Sequence, residues 1–393
     1  MRYRRFGKTE LLLSVFSLGT MGCLASFVNF RQTIEQAIAL GINHLETARG
    51  YGKSEEYLGL VLQEGLSVPR EQLYITTKLP PTPNGELMWS WIHQSLARLQ
   101  LDYIDCLAIH GINTWEHLSW VQNSEGCQKA IYRAMAEGKV RNLGFSTHGS
   151  LDLILAAINT DLFAFVNLHY YYFFQRHDQA VELARQKDMG VFIISPADKG
   201  GRLYTPPEKL QQLCDPSSPL ELNYRFLLGD LGVGHLSAPP ARSVTTDRRI
   251  TTLSVGPANP SQLNPILAVA DQDGPLTEDE IAVLRRLEVE FYHSLGTDAC
   301  SQCYQCLPCP EEINIPEVLR LRNLAVAYDM TDYGKYRYGM FENAGHWFPG
   351  RKGNRCTNCG DCLPRCPENL DIPRLLLDTH QRLQGSSRRR LWE

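Results

Sequence analysis

Eight of the twelve cysteines in this 393-residue chain fall in two runs near its end. They are Cys300, Cys303, Cys306 and Cys309-Pro310, then Cys356, Cys359, Cys362 and Cys366-Pro367. Three cysteines at two-residue gaps place three sulfurs around one corner of an iron–sulfur cube. In two-cluster proteins, a fourth cysteine followed by proline reaches over to the other cluster. The eight residues are therefore expected to hold two 4Fe-4S clusters. Zinc is the competing reading, but its sites use paired C-x-x-C motifs with no preference for a trailing Cys-Pro. Disulfides would need an oxidising compartment and a geometry that such close spacing denies. The first run has two residues, not the usual three, before its last cysteine, so cross-ligation by Cys309 and Cys366 stays open.

A second set of reactive residues recurs at equal steps. Glu46, Lys78 and His110 are 32 residues apart, and Tyr51 follows Glu46 closely. Such a set suits carbonyl reduction. Hydride attack on a carbonyl carbon builds negative charge on oxygen, which calls for a proton donor. A tyrosine with an ordinary pKa near ~10 is a poor donor at neutral pH, but an adjacent ammonium stabilises its phenolate. Lys78 supplies that charge, Glu46 holds Lys78, and His110 hydrogen-bonds the substrate oxygen. For any one of the four alone, a packed core residue or a structural ion pair is the better account. Their convergence favours function.

Convergence depends on the elements that carry them. Eight short apolar runs read as strands: Phe16–Gly19, His44–Thr47, Leu73–Leu79, Ile104–His110, Val140–Ser146, Ala164–His169, Gly190–Ser195 and Thr251–Gly256. Amphipathic helical stretches lie between them, among them Arg31–Ala39, Ser54–Gln63, Glu86–Leu99 and Gln179–Gln186. This alternation predicts an α/β chain with a (β/α)8 TIM barrel, in which reactive residues sit at the C-terminal ends of strands. Arg2–Phe6 and Leu11–Ser14 flank a Gly7-Lys8-Thr9-Glu10 turn and predict a hairpin under the barrel. A linker at Asp271–Pro275 then gives way to a helix with a capping box at Thr277 and Glu280. The remainder repeats internally: Cys309-Pro310-Glu311-Glu312-Ile313-Asn314-Ile315-Pro316 reads against Cys366-Pro367-Glu368-Asn369-Leu370-Asp371-Ile372-Pro373. In each copy a proline after Asn or Asp opens a helix. The long spacer between the cysteine runs predicts a small α-helical ferredoxin-like domain. The expected division is a barrel over residues 1–270 and an iron–sulfur domain over 276–393.

The barrel half resembles the aldo/keto reductase family. Gly41-Ile42-Asn43-His44-Leu45-Glu46-Thr47-Ala48-Arg49-Gly50-Tyr51-Gly52-Lys53-Ser54-Glu55 looks like that family's signature. Ile75-Thr76-Thr77-Lys78, Ile104–His110 and Val140-Arg141-Asn142-Leu143-Gly144-Phe145-Ser146 continue the likeness. The cysteine segment resembles the superfamily's iron–sulfur branch. The resemblance implies a catalytic tetrad at Tyr51, Lys78, Glu46 and His110, with Glu46 standing where the family has aspartate. It further implies NADPH or NADH as cofactor, with Ser146 and Asn167 near the carboxamide and Ser195 beside the ring. Lys199, Gly200 and Gly256 are implied near the phosphates. The family's arginine for the 2′-phosphate has no evident counterpart here, which leaves the choice between the two cofactors undecided.

Composition narrows the partners. A net charge of −4 gives no general affinity for nucleic acid or acidic membranes, and no apolar stretch approaches membrane-spanning length. The Arg388-Arg389-Arg390 run reads as a solvated tail. Arg4-Arg5-Phe6 loosely mimics a twin-arginine export signal, but Lys8 and Glu10 crowd the apolar run and Gly19 and Gly22 interrupt it, so a cytoplasmic location is expected. Trp115, Trp120 and Tyr204, in loops 111–127 and 202–220, serve either an apolar pocket or loop packing. The chain thus reads as a nicotinamide-dependent reductase of aldehydes or ketones, or the reverse, acting on a small carbonyl or alcohol substrate. The alternative is an electron-transfer or redox-sensing protein whose clusters exchange electrons with a ferredoxin-like partner beside a modified or inactive barrel. Hydride donors move two electrons and clusters one, so coupling the halves calls for a converter such as a flavin. No flavin-binding motif is recognisable.

Overall fold

Eight parallel strands close into a barrel in the order β10-β3-β4-β5-β6-β7-β8-β9. The computed structural model describes residues 1–229 and 249–387. A hairpin of β1 (Tyr3–Arg5) and β2 (Leu12–Ser14) precedes the barrel. The barrel strands are β3 (Phe16–Gly19), β4 (His44–Glu46), β5 (Tyr74–Leu79), β6 (Ile104–His110), β7 (Val140–Ser146), β8 (Phe165–Leu168), β9 (Gly190–Ile194) and β10 (Thr252–Val255). All eight expected strands are present; three keep their expected bounds and five lose one residue at one or both ends. Their residues are almost wholly buried, which suits strands covered on both faces by helices and side chains. The Arg388–Arg390 run lies outside the described residues.

The barrel's bottom is stoppered by Phe6. This ring is fully buried and packs 5.3 Å from Phe165 and 6.4 Å from His44. Gly7, at φ +53°, lets the chain turn so closely that a side chain there would strike the backbone of Gly190 at 2.3 Å. Arg4, itself buried, anchors the hairpin by donating to the carbonyls of Leu228 and Ile250. A methyl group on Gly190 would lie 2.2 Å from the Phe6 ring. Gly190→Ala is therefore expected to lower stability by about 1–2 kcal/mol, the overpacking cost reduced by the entropy lost from the unfolded chain. An unchanged denaturant midpoint would show that the plug is loosely seated.

Two helices fall within segments that the sequence reads as loops, Trp115–Gln122 and Glu208–Cys214. Thr114 caps the first by accepting from the His117 amide at 3.1 Å. After β10 the chain passes through a 3-10 segment at Pro260–Ala268 into the helix Glu278–Leu295, whose Thr277–Glu280 capping box forms as expected. This helix joins the two halves. Arg225 of the barrel pairs with Glu280 at 2.6 Å, while Tyr328 donates to the Leu287 carbonyl at 2.9 Å.

The C-terminal part is helical. Asn314 and Asp371 cap the helices Ile315–Tyr328 and Ile372–Leu383, each with proline in the first turn. Each cap accepts from the amide three residues on, at 3.4 and 3.3 Å, so the repeated sequence folds twice the same way. Arg322 ties the copies together by pairing with Asp378 at 2.6 Å and Asp298 at 3.1 Å. A third helix, Thr331–Tyr338, follows the first and returns the chain toward the barrel mouth. Among the described residues, no helix is long and apolar enough to cross a membrane.

Candidate active site and cysteine clusters

The C-terminal ends of β4, β5 and β6 bring Glu46, Lys78 and His110 to one rim. Lys78 is 1% exposed and Glu46 3%, and the two form a direct ion pair. The extra methylene of Glu46 is absorbed, because Ser254 of β10 donates to its other oxygen at 3.2 Å. The Lys78 ammonium also donates to the Thr47 carbonyl at 2.9 Å and to the Tyr51 hydroxyl at 3.2 Å. Burial, and behind it repulsion from Lys199, pushes the Lys78 ammonium well below the usual lysine range. Tyr51 stands edge-on to His110, ring centroids 5.6 Å apart. A phenol, a cation against it and an imidazole beside it therefore lie together at the barrel rim. The pattern of residue types showed these four; it could not show Thr47 or Ser254, which contribute a backbone carbonyl and a hydroxyl.

The residues implied for a nicotinamide lie around the same mouth. Asn167, at the end of β8, is fully buried, and neither its amide nitrogen nor its oxygen has a hydrogen-bond partner. A buried amide with both donor and acceptor unused fits a carboxamide, which offers the complementary pair. Ser146 ends β7 and accepts from the Gly111 amide at 3.1 Å. Ser195 follows β9 at φ +53°, and its carbonyl receives the Lys199 amide at 3.0 Å. Gly200 packs so tightly that a side chain there would meet the Pro196 carbonyl at 2.0 Å. Across the mouth, a side chain on Gly22 would come within 2.8 Å of the Gly256 carbonyl. The residues fit the group.

One wall of the mouth was not foreseen. Trp347, from the spacer between the cysteine runs, sits over the barrel with its ring 5.3 Å from that of His110 and 5.0 Å from that of His148. Gly111 has φ +89°, and a side chain on it would strike the indole at 2.5 Å. Beyond Trp347 opens a cavity of about 570 Å³ between the barrel and the cysteine domain. Trp115, Trp120 and Tyr204 do not line it. Trp115 is largely exposed, and Trp120 packs against His117 with rings 5.3 Å apart. The signal for Trp347 was only the length of the spacer and its Gly345-His346-Trp347-Phe348-Pro349-Gly350 turn.

None of the twelve cysteines is paired in a disulfide. One hollow is lined by Cys300, Cys303, Cys306 and Cys366; a second by Cys356, Cys359, Cys362 and Cys309. Each run thus contributes three sulfurs to its own hollow and one to the other. The sulfurs surround space rather than closing on a single ion, which suits a cube of iron and sulfide. The short gap before Cys309 does not prevent this crossing.

Comparison with known proteins agrees with both halves. The model of the aldo/keto reductase family matches residues 17–288, and that of a 4Fe-4S dicluster domain matches residues 299–370. L-glyceraldehyde 3-phosphate reductase of Escherichia coli K12 is 29% identical over 164 residues, covering 38% of this chain and 46% of that protein. L-galactose dehydrogenase of Arabidopsis thaliana is 33% identical over 155 residues, covering 36% and 47%. The chain spans about half the length of these two relatives. Among solved structures, the holo form of the aldo-keto reductase AKR11C1 from Bacillus halodurans superposes with a TM-score of 0.59 at 20% identity. That match covers 73% of this chain and 96% of that one, and it bears on fold alone.

Proposed function

This chain belongs to the aldo/keto reductase family and carries a 4Fe-4S dicluster domain, and from that premise we propose that it interconverts small carbonyl compounds and alcohols with NADPH or NADH. The division near residues 270–276 is taken with it. The observation that carries the reading is the Tyr51 hydroxyl held 3.2 Å from a buried ammonium that is itself ion-paired. A bound nicotinamide supplies the hydride. Tyr51 gives its proton to the carbonyl oxygen, and the Lys78 charge stabilises the phenolate left behind. Glu46 and the Thr47 carbonyl keep Lys78 in reach, while His110 orients the substrate oxygen. In the reverse direction, the same hydroxyl takes the alcohol proton. Asn167 and Ser146 receive the carboxamide, Ser195 borders the ring, and Lys199, Gly200 and Gly256 border the phosphates. Cys300, Cys303, Cys306 and Cys366 hold one cluster, and Cys309, Cys356, Cys359 and Cys362 the other.

The test is anaerobic purification with clusters intact, then NADPH and NADH consumption against a panel of aldehydes and ketones. Carbonyl-dependent oxidation of either cofactor is expected, and none across the panel would reject the reading. The placement of Trp347 against both His110 and the cavity wall that contains Cys309 favours a second reading. In it the clusters exchange electrons with the barrel and with a ferredoxin-like partner. EPR separates the two: cluster signals produced by nicotinamide alone support the second, and binding without cluster reduction supports the first.

A further inference from the structure

The cavity beyond Trp347 is built from two distant stretches of chain, His148–Lys199 of the barrel and Leu307–Gly350 of the cysteine domain. Its walls are aromatic: Tyr171, Phe174, Tyr333, Trp347 and Phe348. Arg176, Lys199, Arg320 and Arg337 bring four positive charges against two carboxylates, Glu312 and Glu317. Arg320 grips Glu317 through two hydrogen bonds of 2.8 and 2.6 Å, while Arg337 and Arg176 act on that carboxylate only through space. Burial disfavours the charged form of two of the lining histidines. His177 is pushed down to about 4, chiefly by burial, and His169 is pushed well below its usual value by burial and then by Lys199 and Arg337.

Arg337 is the residue that asks for a ligand. It is 8% exposed, stacks 4.2 Å over Phe348, and donates to the Met340 sulfur at 3.5 Å. No carboxylate lies within ion-pair distance of it among the described residues, and its Nε is buried without a partner. A buried guanidinium with no anion in direct contact is costly, and a phosphate entering the cavity would relieve it. The volume lies within the range of about 300–1,000 Å³ usual for small-molecule and cofactor sites.

The position narrows the ligand further. On one side the cavity is bounded by His148 and Trp347, the latter in ring contact with His110; on the other it is bounded by Cys309. Tyr51, Lys78 and His110 do not line it, and Lys199 is the one residue it shares with the set proposed above for the nicotinamide. We propose that this cavity binds a phosphate-bearing flavin of the flavin mononucleotide class, its ring among the aromatic walls and its phosphate on Arg337. The proposal rests on the second reading above, because such a ring accepts electrons in pairs and releases them singly, which is the exchange that reading requires. The absence of a linear flavin motif follows from the construction, since the two stretches are more than a hundred residues apart.

The test titrates the cluster-loaded protein with flavin mononucleotide, with riboflavin as the phosphate-free control, reading flavin fluorescence. Saturable one-to-one binding with quenching is expected, with riboflavin bound about tenfold or more weakly. Arg337→Gln should reduce flavin mononucleotide to the affinity of riboflavin, with iron content and unfolding midpoint checked in parallel. If that variant fails to fold, Arg176→Gln, in a half-buried side chain on the same cavity, should weaken the phosphorylated flavin selectively. No saturable binding, or equal affinity for the two flavins, overturns the proposal. Because the readout is binding, its failure is distinguishable from absence of carbonyl turnover.

Discussion

Replacing Tyr51 with phenylalanine is expected to cut carbonyl turnover by about 10²- to 10⁴-fold, the span that a positioned proton donor contributes. The ring would remain in place, since its edge-on contact with His110 and its position under the Lys78 ammonium, 4.7 Å from the ring centre, do not involve the hydroxyl. Nicotinamide affinity and iron content should therefore stay near those of the parent, and the loss should appear in kcat. Turnover within about tenfold of the parent would show that the proton comes from elsewhere. Lys78→Met makes a weaker diagnostic. It would leave Glu46 buried without its cation, so lost activity would be mixed with lost stability.

The second large effect concerns the clusters. Cys366→Ser should abolish the cluster of the first run, although Cys366 belongs to the second, because the hollow it lines contains Cys300, Cys303 and Cys306. Cys309→Ser should in the same way abolish the cluster of the second run. Each variant is expected to retain about four of eight irons, the number in one intact cube. The location of the loss is the sharper measurement. Combining Cys366→Ser with Cys303→Ser should cost no more iron than either alone, whereas combining it with Cys359→Ser should empty both sites. The opposite pairing would mean that the runs do not cross.

The barrel was legible because its signals are local. Each strand is an apolar run ended by polar or glycine residues, and the 32-residue step from Glu46 to Lys78 to His110 repeats the βα unit. The capping box at Thr277 and the Asn314 and Asp371 caps could be read for the same reason: three or four neighbouring residues determine them. The crossed lining of the two hollows was half legible, since the Cys-Pro endings suggested it and the short gap before Cys309 obscured it. What could not be read is contact between distant segments. Nothing near Trp347 announces that its indole will rest on His110, and Arg337 resembles any other arginine in a helix of alternating tyrosines. The Ser254 hydroxyl that steadies Glu46 lies 208 residues away in the chain.

The proposed exchange of one cysteine between the two runs would also set an order on synthesis. Cys300, Cys303 and Cys306 leave the ribosome well before Cys366, so their hollow would stay one thiolate short until the second run has been made. Cys309 would wait in turn for Cys356, Cys359 and Cys362. On that assignment a chain stalled before Cys356 would complete neither site, and metal loading would follow the synthesis of the barrel.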